Sequence, residues 1–102
     1  MSIDVVETSD LKNVDVPATS LIGTDKVRAL LVNLDAGQSL SPCQMTCPVL
    51  YYVIEGQGVI HVADEQANLK TGSLVVVPAE AVRDIAANKQ LRVLAVQLLY
   101  CR

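Results

Sequence analysis

Apolar residues along this chain come in short runs, and turn residues cut them apart at close intervals. Residues 27–34 (VRALLVNL) form the first clear run, closed by Asp35-Ala36-Gly37. Residues 49–54 (VLYYVI) form the next, closed by Glu55-Gly56-Gln57-Gly58. Residues 59–63 (VIHVA) follow at once, so the two runs are expected to pair as a hairpin around those glycines. Beyond a polar turn at Asp64-Glu65-Gln66, short strands are expected over 67–69 and 74–77, with Lys70-Thr71-Gly72 between them and Pro78 after the second. A weaker strand over 82–86, a turn at Asn88-Lys89-Gln90 and a long strand over 91–100 complete the pattern. Short strands with frequent turns predict an all-β sandwich or barrel rather than βαβ units. No long amphipathic helix and no internal repeat is visible. Residues 11–16 read as a short strand or an irregular arm, while Pro17 and Gly23 argue for loop around them.

A length of 102 residues predicts one domain, read as an N-terminal arm over 1–27 and a barrel over 28–102. The hydrophobic fraction is 51%, yet Phe and Trp are absent and only three Tyr occur, so the core must be aliphatic. Val and Ile suit pleated strands. So much aliphatic surface in so short a chain points to a buried subunit interface, and a homodimer is expected. The arm is a candidate edge strand, able to cover a partner's sheet edge. Net charge is −3 with no basic cluster, which argues against nucleic acid. Neither an export signal nor an apolar stretch of the roughly 20 residues needed to cross a bilayer is present, so no membrane contact and a cytoplasmic location are expected. The odd set Cys43, Cys47 and Cys101 argues against a closed disulfide framework. Cys43 and Cys47, if extended, lie roughly 13 Å apart, too far to bridge.

The stretch from Gly37 to Gly58 resembles the first motif of the cupin family: glycine, five residues, His-x-His, three or four residues, Glu, six residues, glycine. Here Gly37 is followed by five residues, then Cys43-Gln44-Met45, with Val49 at the glutamate position and Gly56 closing. The second motif is glycine, five residues, proline, x, glycine, two residues, histidine. It is matched by Gly72, Pro78, Ala79-Glu80 and then Arg83. The resemblance covers roughly residues 28–100 and implies a double-sheet jelly-roll barrel. It also implies a metal held by two histidines, a glutamate and a third histidine, and there the chain departs. The four positions carry Cys43, Met45, Val49 and Arg83. Valine has no donor atom, and arginine stays protonated. The expected cofactor is therefore none.

Three readings of these residues stand side by side. In the first, the barrel holds a small-molecule pocket lined by Cys43, Met45, Val49 and Tyr51, with Arg83 as its cation. A guanidinium favours a carboxylate or phosphate, so the protein binds or senses a small amphipathic anion. Against it, Arg83 can swing to the barrel mouth and pair with Glu80 or Asp84. In the second, Cys43 and Met45 lie on one strand face and hold a soft metal such as copper(I); against it, both are simple apolar filling. In the third, a cofactor-independent enzyme uses Tyr51 or His61, but no second catalytic group accompanies them, and the face of His61 is open. Thiol chemistry is a separate idea: Arg83 near Cys43 would favour the thiolate and its reaction with oxidants, as in a redox sensor, with an inert buried thiol as the bland counterpart.

Overall fold

The computed structural model describes residues 18–99, and these form nine strands and no helix. They are β1 (Ala18–Gly23), β2 (Val27–Leu34), β3 (Ser39–Cys43), β4 (Val49–Glu55), β5 (Gln57–Val62), β6 (Glu65–Lys70), β7 (Leu74–Val77), β8 (Arg83–Ala87) and β9 (Leu91–Leu98). All pairings are antiparallel. One sheet has the order β1-β2-β9-β4-β7 and the other the order β3-β8-β5-β6. The two sheets pack face to face as a jelly roll. No helix among the described residues is long and apolar enough to cross a membrane.

Strand alternation builds the interior. Val49, Tyr51 and Val53 of β4 point inward beside Leu91, Val93 and Ala95 of β9, and they face Ile60, Leu69, Ile85 and Ala87 of the other sheet. Burying these aliphatic side chains is the main stabilising term, about 1.5–3 kcal/mol for each Val, Leu or Ile fully removed from water.

The expected hairpin between residues 49–54 and 59–63 does not form. β4 pairs with β7 and β9, whereas β5 pairs with β6 and β8, so the two strands lie in different sheets. Gly56 alone separates them. At φ +109° it turns the chain out of one sheet and into the other. A Cβ there would sit 1.9 Å from the Gln90 carbonyl oxygen, so the crossing needs glycine for space as well as for conformation. The hairpin that does form joins β5 to β6 through Ala63 and Asp64, with Ala63 at φ 54°.

Two strands were not placed by the sequence pattern, which offered the 1–27 arm only as a candidate edge strand and marked nothing at 39–43. β1 edges the larger sheet through its pairing with β2, despite the glycine at its end. β3 pairs with β8 and carries a bulge between Leu40 and Cys43. The arm over residues 11–16 and the chain end at Cys101 lie outside the described residues. The expectation against a disulfide is corrected too: Cys47 is buried and disulfide-bonded, while Cys43 is a free, exposed thiol.

Candidate functional site

Arg83 opens β8, and the register of the small sheet places it in a row across four strands. Cys43 of β3 pairs with Arg83, Arg83 with Val62 of β5, and Val62 with Glu65 of β6. Directly opposed residues share a sheet face, so this row lies on the inner face at one end of the barrel. The bulge in β3 brings Cys43 into the row; an unbroken register would put Pro42 opposite Arg83. The next row inward, Leu40, Ile85, Ile60 and Ala67, is wholly apolar.

Arg83 does not reach the mouth to pair with Glu80 or Asp84. It is 2% exposed, and its guanidinium crosses the barrel to the opposite sheet. Nε donates to the Ala81 carbonyl at 3.1 Å, and Nη1 donates to the Tyr51 hydroxyl at 3.4 Å. Nη2 is buried without a hydrogen-bond partner, and Arg83 makes no ion pair among the described residues. The two carboxylates that flank it are engaged elsewhere. Asp84 Oδ1 meets His61 Nδ1 at 2.7 Å on the outer face, and Glu80 approaches Gln44. An isolated charge taken out of water is costly, so a lone buried guanidinium is an unbalanced group.

Tyr51 is the companion of Arg83. Burial pushes its hydroxyl pKa above the ordinary value of 10.0, and the hydrogen bond and charge of Arg83 only partly oppose this. The phenol therefore keeps its proton at neutral pH. It accepts from Arg83 and still has an O–H to donate.

The remaining expected residues are dispersed. Val49 is sealed in the core. Met45 is half-buried against the core, in the loop beyond β3. The strand alternation that would put Cys43 and Met45 on one face stops at Cys43. After it the chain turns, and the Met45 carbonyl accepts from the Glu80 amide at 2.7 Å instead of from a neighbouring strand. His61 lies outside the barrel, half-exposed, and takes no part in the site. The sequence pattern missed Gln97. It pairs with Val49 across β4 and β9, and its Oε1 is buried and unpaired at the same end of the barrel. A lone glutamine in the apolar alternation of residues 91–98 was the available signal.

Glu80 adopts φ 71°, a left-handed conformation, at the place where the cupin motif asks for glycine. The backbone geometry of the motif thus persists under a different side chain. Solved structures of low sequence identity share the whole architecture. A cupin superfamily protein from Desulfitobacterium hafniense is 25% identical over 81% of this chain and 76% of its own, with a TM-score of 0.77. This chain is a cupin-type domain. A conserved protein of unknown function from Streptococcus pyogenes is 15% identical, covering all of this chain and 92% of its own, with a TM-score of 0.82. Salicylate 1,2-dioxygenase from Pseudoaminobacter salicylatoxidans is 21% identical over 78% of this chain, with a TM-score of 0.73, but this cupin-type domain spans only 25% of that enzyme. No family model matches the chain, and no curated protein matches it in sequence.

The four positions that hold the metal in the cupin motif do not fit one here. Val49 offers no donor. Arg83 puts a fixed positive charge, with its Nη2 unpaired, where a cation would sit. Among the described residues no group of three or more His, Cys, Asp or Glu comes together. What this end of the barrel offers chemically is a guanidinium donor, a phenolic donor and an apolar wall.

Proposed function

We infer that this cupin-type domain binds a small organic anion at Arg83, without a metal, as a binding or sensing module. The observation that carries the reading is the buried guanidinium with, among the described residues, an unpaired Nη2 and no carboxylate to balance it. An anion that accepts from Nη2 and from the Tyr51 hydroxyl would satisfy both the charge and the empty donor. The dioxygenase neighbour shares the fold alone, and its chemistry is not carried over.

The test is binding of small carboxylates and inorganic phosphate, followed by calorimetry, to the wild-type chain and to Arg83→Met. The variant should lose anion binding. Its ligand-free form should gain about 1–3 kcal/mol of stability, because an apolar side chain of similar length replaces an uncompensated buried charge. Undiminished anion binding in Arg83→Met would sink the reading. The competing proposal is soft-metal capture by the free thiol of Cys43 with the Met45 thioether. Metal analysis after anaerobic incubation with iron, zinc and copper(I), with Cys43→Ser in parallel, separates the two. Stoichiometric copper that Cys43→Ser removes would establish the competitor.

We also propose that the domain works as a homodimer. The outward positions of β4 and β7 carry Leu50, Tyr52, Ile54, Leu74 and Val76, with no charge among them. Leu74 is 65% exposed and Val76 60%. A second copy of the same face would remove this surface from water.

A further inference from the structure

A groove of about 300 Å³ opens along the seam between β6 and β7. These are the edge strands of the two different sheets and do not pair with each other, so the seam is open without any broken ladder. Its apolar wall is formed by Ile60, Val62, Ala67, Val75, Val76 and Pro78. Two of these residues tie the groove to the anion site. Val62 is the direct cross-strand neighbour of Arg83, and Val75 is the direct cross-strand neighbour of Tyr51. Opposed residues of this kind have Cβ atoms about 4.5–5.5 Å apart. The groove therefore borders the Arg83–Tyr51 pair through one lining residue on each sheet, Val62 and Val75, while Arg83 and Tyr51 themselves lie behind that wall.

We propose that the ligand is a monocarboxylate with an apolar tail, its head at Arg83 and Tyr51 and its tail in the groove between the edges of β6 and β7. The proposal rests on the reading of Arg83 as the anion site and extends it to a ligand class. Three features select that class. A single guanidinium is neutralised by one negative charge, whereas a doubly charged phosphate would leave a net charge buried beside it. The apolar wall removes hydrocarbon from water, and its size suits a small ligand. Glu65, in line with Val62 and Arg83 but two strands out, adds a carboxylate to the groove lining. It repels a second acidic group, so dicarboxylates of the same length are disfavoured.

The experiment is a calorimetric titration of the full chain with acetate, butyrate, hexanoate, octanoate, suberate and inorganic phosphate. Affinity should rise about fourfold per added methylene from acetate to hexanoate. Suberate should bind more weakly than octanoate, and phosphate more weakly than hexanoate. Ala67→Trp, which fills the groove, should flatten the chain-length series and leave acetate unchanged. The wild-type series decides the matter even if that variant does not fold. Arg83-dependent binding of acetate with no gain from longer chains would overturn the groove and leave the anion site standing. Tighter binding of phosphate than of any carboxylate would overturn the ligand class. Failure of every probe to bind would overturn the anion site and this proposal together.

Discussion

Inside an aliphatic barrel, burial alters a phenol more than the guanidinium beside it can offset, and the alteration is measurable. Tyr51 is neutral in the folded chain at pH values where a solvated tyrosine has begun to ionise, because burial raises its pKa above 10.0. The sign follows from proton binding. Above pH 10 the unfolded chain releases this proton first, so the stability that the buried phenol contributes is present below pH 10 and is lost as pH rises towards the folded-state pKa. Urea denaturation from pH 9 to 11 should show a steeper loss of stability in the wild type than in Tyr51→Phe; identical slopes would count against the buried phenol. Much of this residue scale was legible in the chain. The spacing from Gly72 through Pro78 marked Arg83 as the residue that breaks the motif. What the spacing could not decide was its direction, inward or to the mouth. That depended on Asp84 being held by His61 and on Tyr51 lying opposite, and both are contacts between strands far apart in sequence.

Elements were legible where apolar alternation is strong and hidden where a single residue changes the path. β2 and β7 run over the same residues that the pattern marks, and β9 starts where expected. The partners of β4 and β5 were misread, because Glu55-Gly56-Gln57-Gly58 looks like a turn between paired strands. The deciding fact is the close approach of Gly56 to the Gln90 backbone, which no local pattern encodes. β3 was hidden because Ser39-Leu40-Ser41-Pro42-Cys43 contains proline and little alternation. A comparison of two glycines follows at this scale. Gly56 and Gly72 both have positive φ, but a Cβ at Gly72 meets nothing within 4 Å. Gly72→Ala should cost only the conformational penalty of about 1–2 kcal/mol. Gly56→Ala adds a backbone clash and should cost more than about 3 kcal/mol. Thermal denaturation of the two variants checks the difference, and equal losses would mean that the Gln90 contact gives way freely.

At the scale of the whole molecule, the composition reported more than one buried surface would use. The excess of aliphatic residues supplies the core and also the outer positions of β4 and β7. Leu74→Glu, at a position outside the groove, should convert the proposed dimer to a monomer while leaving the interior intact. Size-exclusion chromatography with light scattering reads the outcome, and a dimer of unchanged mass would place the interface elsewhere.

β7 is an edge strand of four consecutive apolar residues, bounded by Gly72-Ser73 on one side and Pro78 on the other. Fibril-forming segments commonly need six or seven residues of high β-propensity without proline. The brevity of β7 therefore keeps a strongly self-adhesive run below the length at which chains stack on one another. Pro78, besides walling the groove, acts as its gatekeeper. The same few residues that leave the barrel seam open would, if lengthened, turn the barrel into a nucleus for aggregation.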